Sequence, residues 1–270
     1  MEELHPEQYS ESARLALRKS IHAAYSRSRL DLYELARSLL DLRPSDNVLD
    51  IGCGFGEFLI QLSLSGHLGK LHGVDRSAEL IEAARNDALG KSCAADFRMG
   101  DAMHLDFPSA SFDCITALNV LGEVEPPQIL AEIGRVLVAD GRVVVSANSR
   151  SSYPLLGELK KRARERFGWF LASEWQEGFD RENAGEILRK YFTEAEEFRY
   201  EDVLQYPDAE VLVGFFRSTR GLWNDRISDP EWNRIVDWAR DQALEFIPEH
   251  GYAEDPVSVS LFRCTAPLGL

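Results

Sequence analysis

The sequence has no Cys-x-x-Cys pair, no apolar run long enough for a membrane helix and no surplus of basic residues. Its four cysteines, Cys53, Cys93, Cys114 and Cys264, are scattered. That spacing supports neither a zinc cluster nor a disulfide framework, so no metal is expected and a reducing compartment is the natural setting. A membrane helix needs about 20 apolar residues, and nothing approaches that. The opening Met1-Glu2-Glu3-Leu4-His5 is acidic and lacks the basic and apolar regions of a secretory signal. A cytoplasmic location is therefore expected. Lys+Arg total 30 against Asp+Glu 45, a formal charge of −15. Such a surface repels phosphate backbones, which counts against general nucleic-acid binding. No repeat of 20–50-residue period and no low-complexity segment is present.

What is there is ample core material, 44% hydrophobic residues over 270. The first 45 residues carry two helical stripes, one through Leu15, Leu17, Ile21 and Tyr25, the other through Leu30, Leu35, Leu39 and Leu40. From residue 46 the pattern alternates. Short apolar runs at 48–51, 71–74, 97–99, 112–118 and 142–147 predict strands. Helical periodicity lies between them, with Ser77 as one N-cap and Pro126-Pro127 opening another helix that Asp140-Gly141 ends. Near-continuous apolar strands separated by helices predict a parallel sheet covered on both faces. Residues 155–192 read as helical. They carry a basic run at 160–166 and an aromatic cluster of Phe167, Trp169, Phe170, Trp175 and Phe179. A strand at 194–205, helices at 208–217 and 230–246, and a last strand at 257–264 complete the reading. Three segments of one elaborated domain are expected: 1–45 as an N-terminal helical cover, 46–148 as a ligand-binding core, and 149–270 as substrate cover and completion of the sheet.

The chemistry concentrates in Val48-Leu49-Asp50-Ile51-Gly52-Cys53-Gly54-Phe55-Gly56-Glu57. A buried strand runs into Gly-x-Gly-x-Gly and then a helix. Glycines permit positive φ and close approach of a ligand, and the helix start offers unpaired N–H groups. Asp75 ends the next strand, where a carboxylate can accept the hydroxyls of a ribose. Two ligand classes fit. A dinucleotide turn usually reads Gly-x-Gly-x-x-Gly and faces a pyrophosphate. Glu57 and Asp50 would repel that group, so they suit a neutral or cationic ligand part instead.

These residues resemble motif I of the class I S-adenosylmethionine-dependent methyltransferases. Asp75 is similar to the acid ending that family's second strand, and Gly100-Asp101-Ala102 to the segment after its third. Residues 105–116 resemble the approach to its fourth strand, and residues 132–142 the helix and turn before its fifth. The tail, with Tyr191-Phe192, Tyr200-Glu201-Asp202 and Asp208-Ala209-Glu210, is similar to small-molecule-type bacterial members. The resemblance implies a Rossmann-like, mostly parallel seven-stranded sheet with an antiparallel last strand, N-terminal helices and a helical, aromatic substrate cover after the fifth strand. It implies S-adenosylmethionine as cofactor, S-adenosylhomocysteine as product, and methylation of an oxygen or nitrogen on a small-molecule acceptor. Asp50, Gly52, Cys53, Gly54, Asp75, Arg76, Asp101, Ala102 and Asn119 would line the cofactor site, with Tyr25 as part of a cover.

Each of these residues also has a plainer use. Asp101 and Asn119 are residues that cap turns, Arg76 can stack on adenine or simply be solvated, and Tyr25 can be an interior helix contact. Many relatives carry a His in the loop after the fourth strand, but here the place is near Glu123. Glu123 is thus a candidate base and Tyr153 a candidate acceptor contact. A surface carboxylate and simple packing are their alternatives. His104 reads as a surface or wall residue. The aromatic cluster is a cover or a core, and the basic run a solvated face or an anion patch. An RNA or protein methyltransferase, a nicotinamide dehydrogenase and a non-catalytic cofactor binder are the competing classes. A monomer and a homodimer both remain open.

Overall fold

A computed structural model describes residues 10–28, 31–123, 126–168, 178–223, 227–247 and 251–268. Trp169, Phe170, Trp175, Val124 and Glu125 lie outside the described residues. The chain divides into two compact units. A sheet unit takes Leu30–Arg150, Gly178–Tyr200 and Val259–Leu270, and a helical unit takes Met1–Arg29, Ser151–Glu177 and Glu201–Ser258.

In the sheet unit, β1 (Val48–Ile51), β2 (Leu71–Asp75), β3 (Asp96–Met99), β4 (Phe112–Ala117) and β5 (Leu137–Asn148) pair in parallel. β7 (Ala253–Pro267) runs antiparallel to β5, from Arg142↔Thr265 to Asn148↔Val259. β6 (Phe192–Tyr206) lies at the edge beyond β7, and β3 at the opposite edge, so the order is β3-β2-β1-β4-β5-β7-β6. This is the seven-stranded Rossmann-like sheet expected.

The unbroken apolar runs have a simple cause, because both faces are covered. Leu49, Ile51, Ile115, Val143 and Val145 pack with α5 (Pro126–Val136) and α7 (Arg181–Leu188). Their strand neighbours Val48, Cys114 and Val144 face the other way, onto α2 (Leu32–Leu40), α3 (Glu57–Leu64) and α4 (Ala78–Gly90). Ser77 caps α4 as expected, its hydroxyl accepting from Leu80 N at 3.4 Å. Phe179 is core, only 3% exposed.

One boundary differs from expectation. The helix before β5 ends at Val136, and Asp140-Gly141 lies within the strand. Ala110 N and Ser111 N donate to the carbonyls of Arg135 and Val136, and Leu137 pairs with Phe112. The register shift between Phe112 and Cys114 then absorbs the Asp-Gly step. A bulge explains Gly inside a strand as well as a helix stop does. At the other end of β1, Asp46 and Arg142 form a buried ion pair; Arg142 also donates to the Asp41 carbonyl at 2.9 Å.

In the helical unit, α8 (Ala209–Ser218) packs against α1 (Glu11–Tyr25), α6 (Pro154–Phe167) and α9 (Asp229–Ala243). Its core is aromatic: Phe216 stacks on Trp232 at 5.6 Å, and Trp223 meets both rings edge-on. Phe167 lies edge-on to Trp238 at 5.5 Å. Asp255 is fully buried and holds the start of α6, accepting from Leu155 N at 2.8 Å and from the Tyr206 hydroxyl at 2.9 Å.

Candidate active site at the glycine turn

The turn after β1 needs its glycines. Gly52, Gly54 and Gly56 have φ of +69°, +54° and +74°. At Gly52 a Cβ would stand 2.2 Å from Val120 Cγ2, and at Gly56 it would stand 2.5 Å from the Phe97 ring. The turn is tied to β2 from both sides. Gly52 N donates to the Val74 carbonyl at 2.7 Å, and Gly54 N donates to Asp75 Oδ2 at 2.9 Å. The other oxygen, Asp75 Oδ1, accepts from Ser77 N at 2.9 Å. A carboxylate oxygen has two acceptor sites, so each keeps one for a further donor.

Asp50 is buried in β1, and its Oδ1 accepts from the Thr116 hydroxyl of β4 at 2.7 Å. Cys53 is 6% exposed. Burial, then the charges of Asp50 and Asp75, push its thiol far up. It therefore stays protonated and is no nucleophile. Asn119 turns the chain out of β4 with φ +59°, and its N–H donates to Ser146 Oγ at 2.7 Å. Asp101 accepts from Met103 N at 2.9 Å and lies 3.3 Å from His104 Nδ1. Those two contacts, the backbone N–H first, hold its carboxyl below the usual range. Ala102 packs half-buried against the core. His104 is largely exposed, with 80% of its side chain open.

These residues therefore gather at the carboxyl ends of the parallel strands, the edge where open α/β sheets bind ligands. Arg76 and Glu123 are both exposed and face each other at 3.6 Å. Tyr25 and Tyr153 belong to the helical unit. There Tyr25 is half-buried at the end of α1, and the Tyr153 hydroxyl lies 3.3 Å from His22 Nε2.

Sequence reading missed Tyr33. This α2 side chain hydrogen-bonds Glu57, the first residue of α3, and lies near Asp50. Burial and those two acids raise its pKa. Nothing local marks Tyr33, because its role depends on α2 packing beside α3.

Comparison with known proteins fits this geometry. A family model described as a methyltransferase domain matches residues 48–141. Over those residues the chain is similar to methyltransferases. It is 32% identical over 121 residues to the demethylmenaquinone methyltransferase of Lactobacillus johnsonii, a match over 43% of this chain and 50% of that one. It is 33% identical over 128 residues to the phosphatidylethanolamine N-methyltransferase of Cereibacter sphaeroides, covering 45% of this chain and 62% of the other. The chain thus matches about half the length of these curated relatives. The crystal structure of the YcgJ protein of Bacillus subtilis shares the fold, with a TM-score of 0.59 and 21% identity over 86% of this chain and 96% of that one.

The residues present fit the cofactor for which the family is named. Asp75 keeps acceptor capacity for sugar hydroxyls. Asp50 and Glu57 place negative charge beside the turn, where a sulfonium and an ammonium are favourable and a pyrophosphate is not. Gly52 leaves the backbone bare where any side chain would collide with Val120.

Proposed function

We propose that this chain transfers a methyl group from S-adenosylmethionine to an oxygen or nitrogen of a small-molecule acceptor, leaving S-adenosylhomocysteine. The observation that carries this is the tie from Asp75 to Gly54 N, which holds the β2 acid against the glycine turn. Asp75 would take the ribose hydroxyls, Asp101 and Ala102 the adenine, and Asp50, Gly52, Cys53, Gly54 and Asn119 the remainder. Bound there, the cofactor supplies a methyl carbon made electrophilic by its sulfonium.

The chain's own part is alignment, exclusion of water and, for a protonated nucleophile, removal of a proton. Glu123 is assigned that last task. Arg76, 3.6 Å away, keeps Glu123 oriented. An adenine-stacking role for Arg76 would compete with this pairing. Tyr153 is assigned to acceptor contact, with Tyr25 in the cover. By role, residues 46–148 are the cofactor segment, and residues 1–45 and 149–270 form the acceptor cover.

The test follows label from methyl-labelled S-adenosylmethionine into a metabolite extract, with total RNA and bulk protein as parallel acceptors. The expected result is label in a low-mass product with matching S-adenosylhomocysteine. Label recovered in RNA or protein, or no cofactor affinity at millimolar levels, overturns the reading.

A further inference from the structure

The basic run on α6 divides into two faces. Arg162 is engaged by Glu158 at 3.0 Å and Glu245 at 2.6 Å. Lys161 is exposed near Glu158, and the Arg166 guanidinium lies 5.7 Å from the Phe167 ring centroid. Lys160 and Arg164, one helical turn apart, share the remaining face and are half-buried. Arg18 of α1 adds its charge to theirs. Among the described residues, none of these three side chains makes an ion pair, and Arg18 Nε is buried with no hydrogen-bond partner.

Crowded, half-buried cations are not expected to stand unpaired, least of all in a chain of charge −15. Desolvation and the two guanidiniums hold Lys160 down at about 8. The acid that acts on Lys160, Asp255, already accepts from two backbone N–H groups and the Tyr206 hydroxyl. One turn along α1 from Arg18, His22 meets the rings of Tyr153 and Phe215 at 5.9 and 5.7 Å. A cationic end and an aromatic end therefore adjoin within the helical unit.

We propose that Arg18, Lys160 and Arg164 form an anion-binding subsite for the carboxylate or phosphate group of the acceptor, with the His22–Tyr153–Phe215 rings receiving its uncharged part. The word acceptor rests on the proposed methyltransferase activity; the anion site itself does not. Guanidinium and ammonium donors at one place suit either oxyanion.

Calorimetry with inorganic phosphate and, separately, citrate tests this and shows which oxyanion is preferred. The proteins are the wild type, Arg18→Gln, Lys160→Met and the exposed control Lys161→Met, with S-adenosylmethionine titrated in parallel. At least one anion should bind the wild type. Arg18→Gln and Lys160→Met should each weaken it by about tenfold or more, the loss of one charge-assisted contact. Lys161→Met and every cofactor titration should be unchanged. Circular dichroism confirms folding, and two variants on different helices guard against one that fails to fold. Absence of anion binding up to tens of millimolar, or equal weakening by Lys161→Met, overturns the proposal. A wild type that binds anion but no cofactor instead removes the methyltransferase reading and leaves the subsite standing.

Discussion

Replacing Asp75 separates the cofactor role of this acid from its structural role. In the fold it accepts one N–H from Gly54 and one from Ser77, each at 2.9 Å. Alanine strands both, at about 1 kcal/mol apiece. With about 2–4 °C per kcal/mol for a chain of this size class, the melting temperature should fall by roughly 4–8 °C. The ligand side is larger. Two hydroxyls donating to a carboxylate contribute about 1.5–3 kcal/mol each. Asp75 is only half-buried, which favours the low end, about 3 kcal/mol together. That is roughly a hundredfold in Kd. Asp75→Asn keeps one acceptor oxygen and should lose less, about tenfold. Calorimetric titration of S-adenosylmethionine into the three folded proteins is the assay. An Asp75→Ala protein that binds within about threefold of wild type would refute the assignment, since other groups would then be carrying the sugar.

Other perturbations test other links. Gly52→Ala adds a Cβ at positive φ and 2.2 Å from Val120, so it should destabilise by about 1–3 kcal/mol in urea melts, and Val120→Ala in the same chain should recover part of the loss. Arg142→Met leaves Asp46 buried without its partner; a cost of about 3–5 kcal/mol is expected, and a double variant with Asp46→Leu should regain much of it. Glu132 is held below its ordinary 4.5, first by the Arg135 guanidinium and then by Leu105 N. A lowered folded-state value stabilises above the unfolded value and is lost as pH falls through the folded one. The stability gap between wild type and Glu132→Gln should thus be full at neutral pH and close on acidification below 4.5. Glu123→Gln removes an exposed ion pair with Arg76, so stability should move by less than about 1 kcal/mol, while loss of a general base should lower kcat by about 10²–10⁴ with its acidic pH limb.

The parallel strands were legible because burial on both faces demands uninterrupted apolar residues, and 112–118 or 142–147 have no other use. The cofactor edge was legible because its constraint is local: Gly52 must take positive φ, and Asp75 must end a strand. Asp140-Gly141 misled because one dipeptide serves both as a helix stop and within a bulged strand, and only pairing across to Phe112 decides. The basic run could not be divided into faces from sequence, since Arg162 finds Glu245 and Lys160 meets Arg18 only through packing. Tyr33 was hidden for the same reason. The rings expected to act together after β5 are dispersed where they are described, Phe179 being core of the sheet unit and Phe167 a partner of Trp238.

The helical unit is drawn from three stretches of chain, and its first helix, α1, rests on α8, which begins only at Ala209. A ribosome adds about 5–20 residues per second. At that rate α1 waits on the order of ten seconds or more with its apolar stripe uncovered, long after the strands from Val48 onward have begun to emerge. During synthesis that stripe is a natural target for nascent-chain chaperones, and refolding of the helical unit should be slowed by the long loop that must close before α1 is shielded.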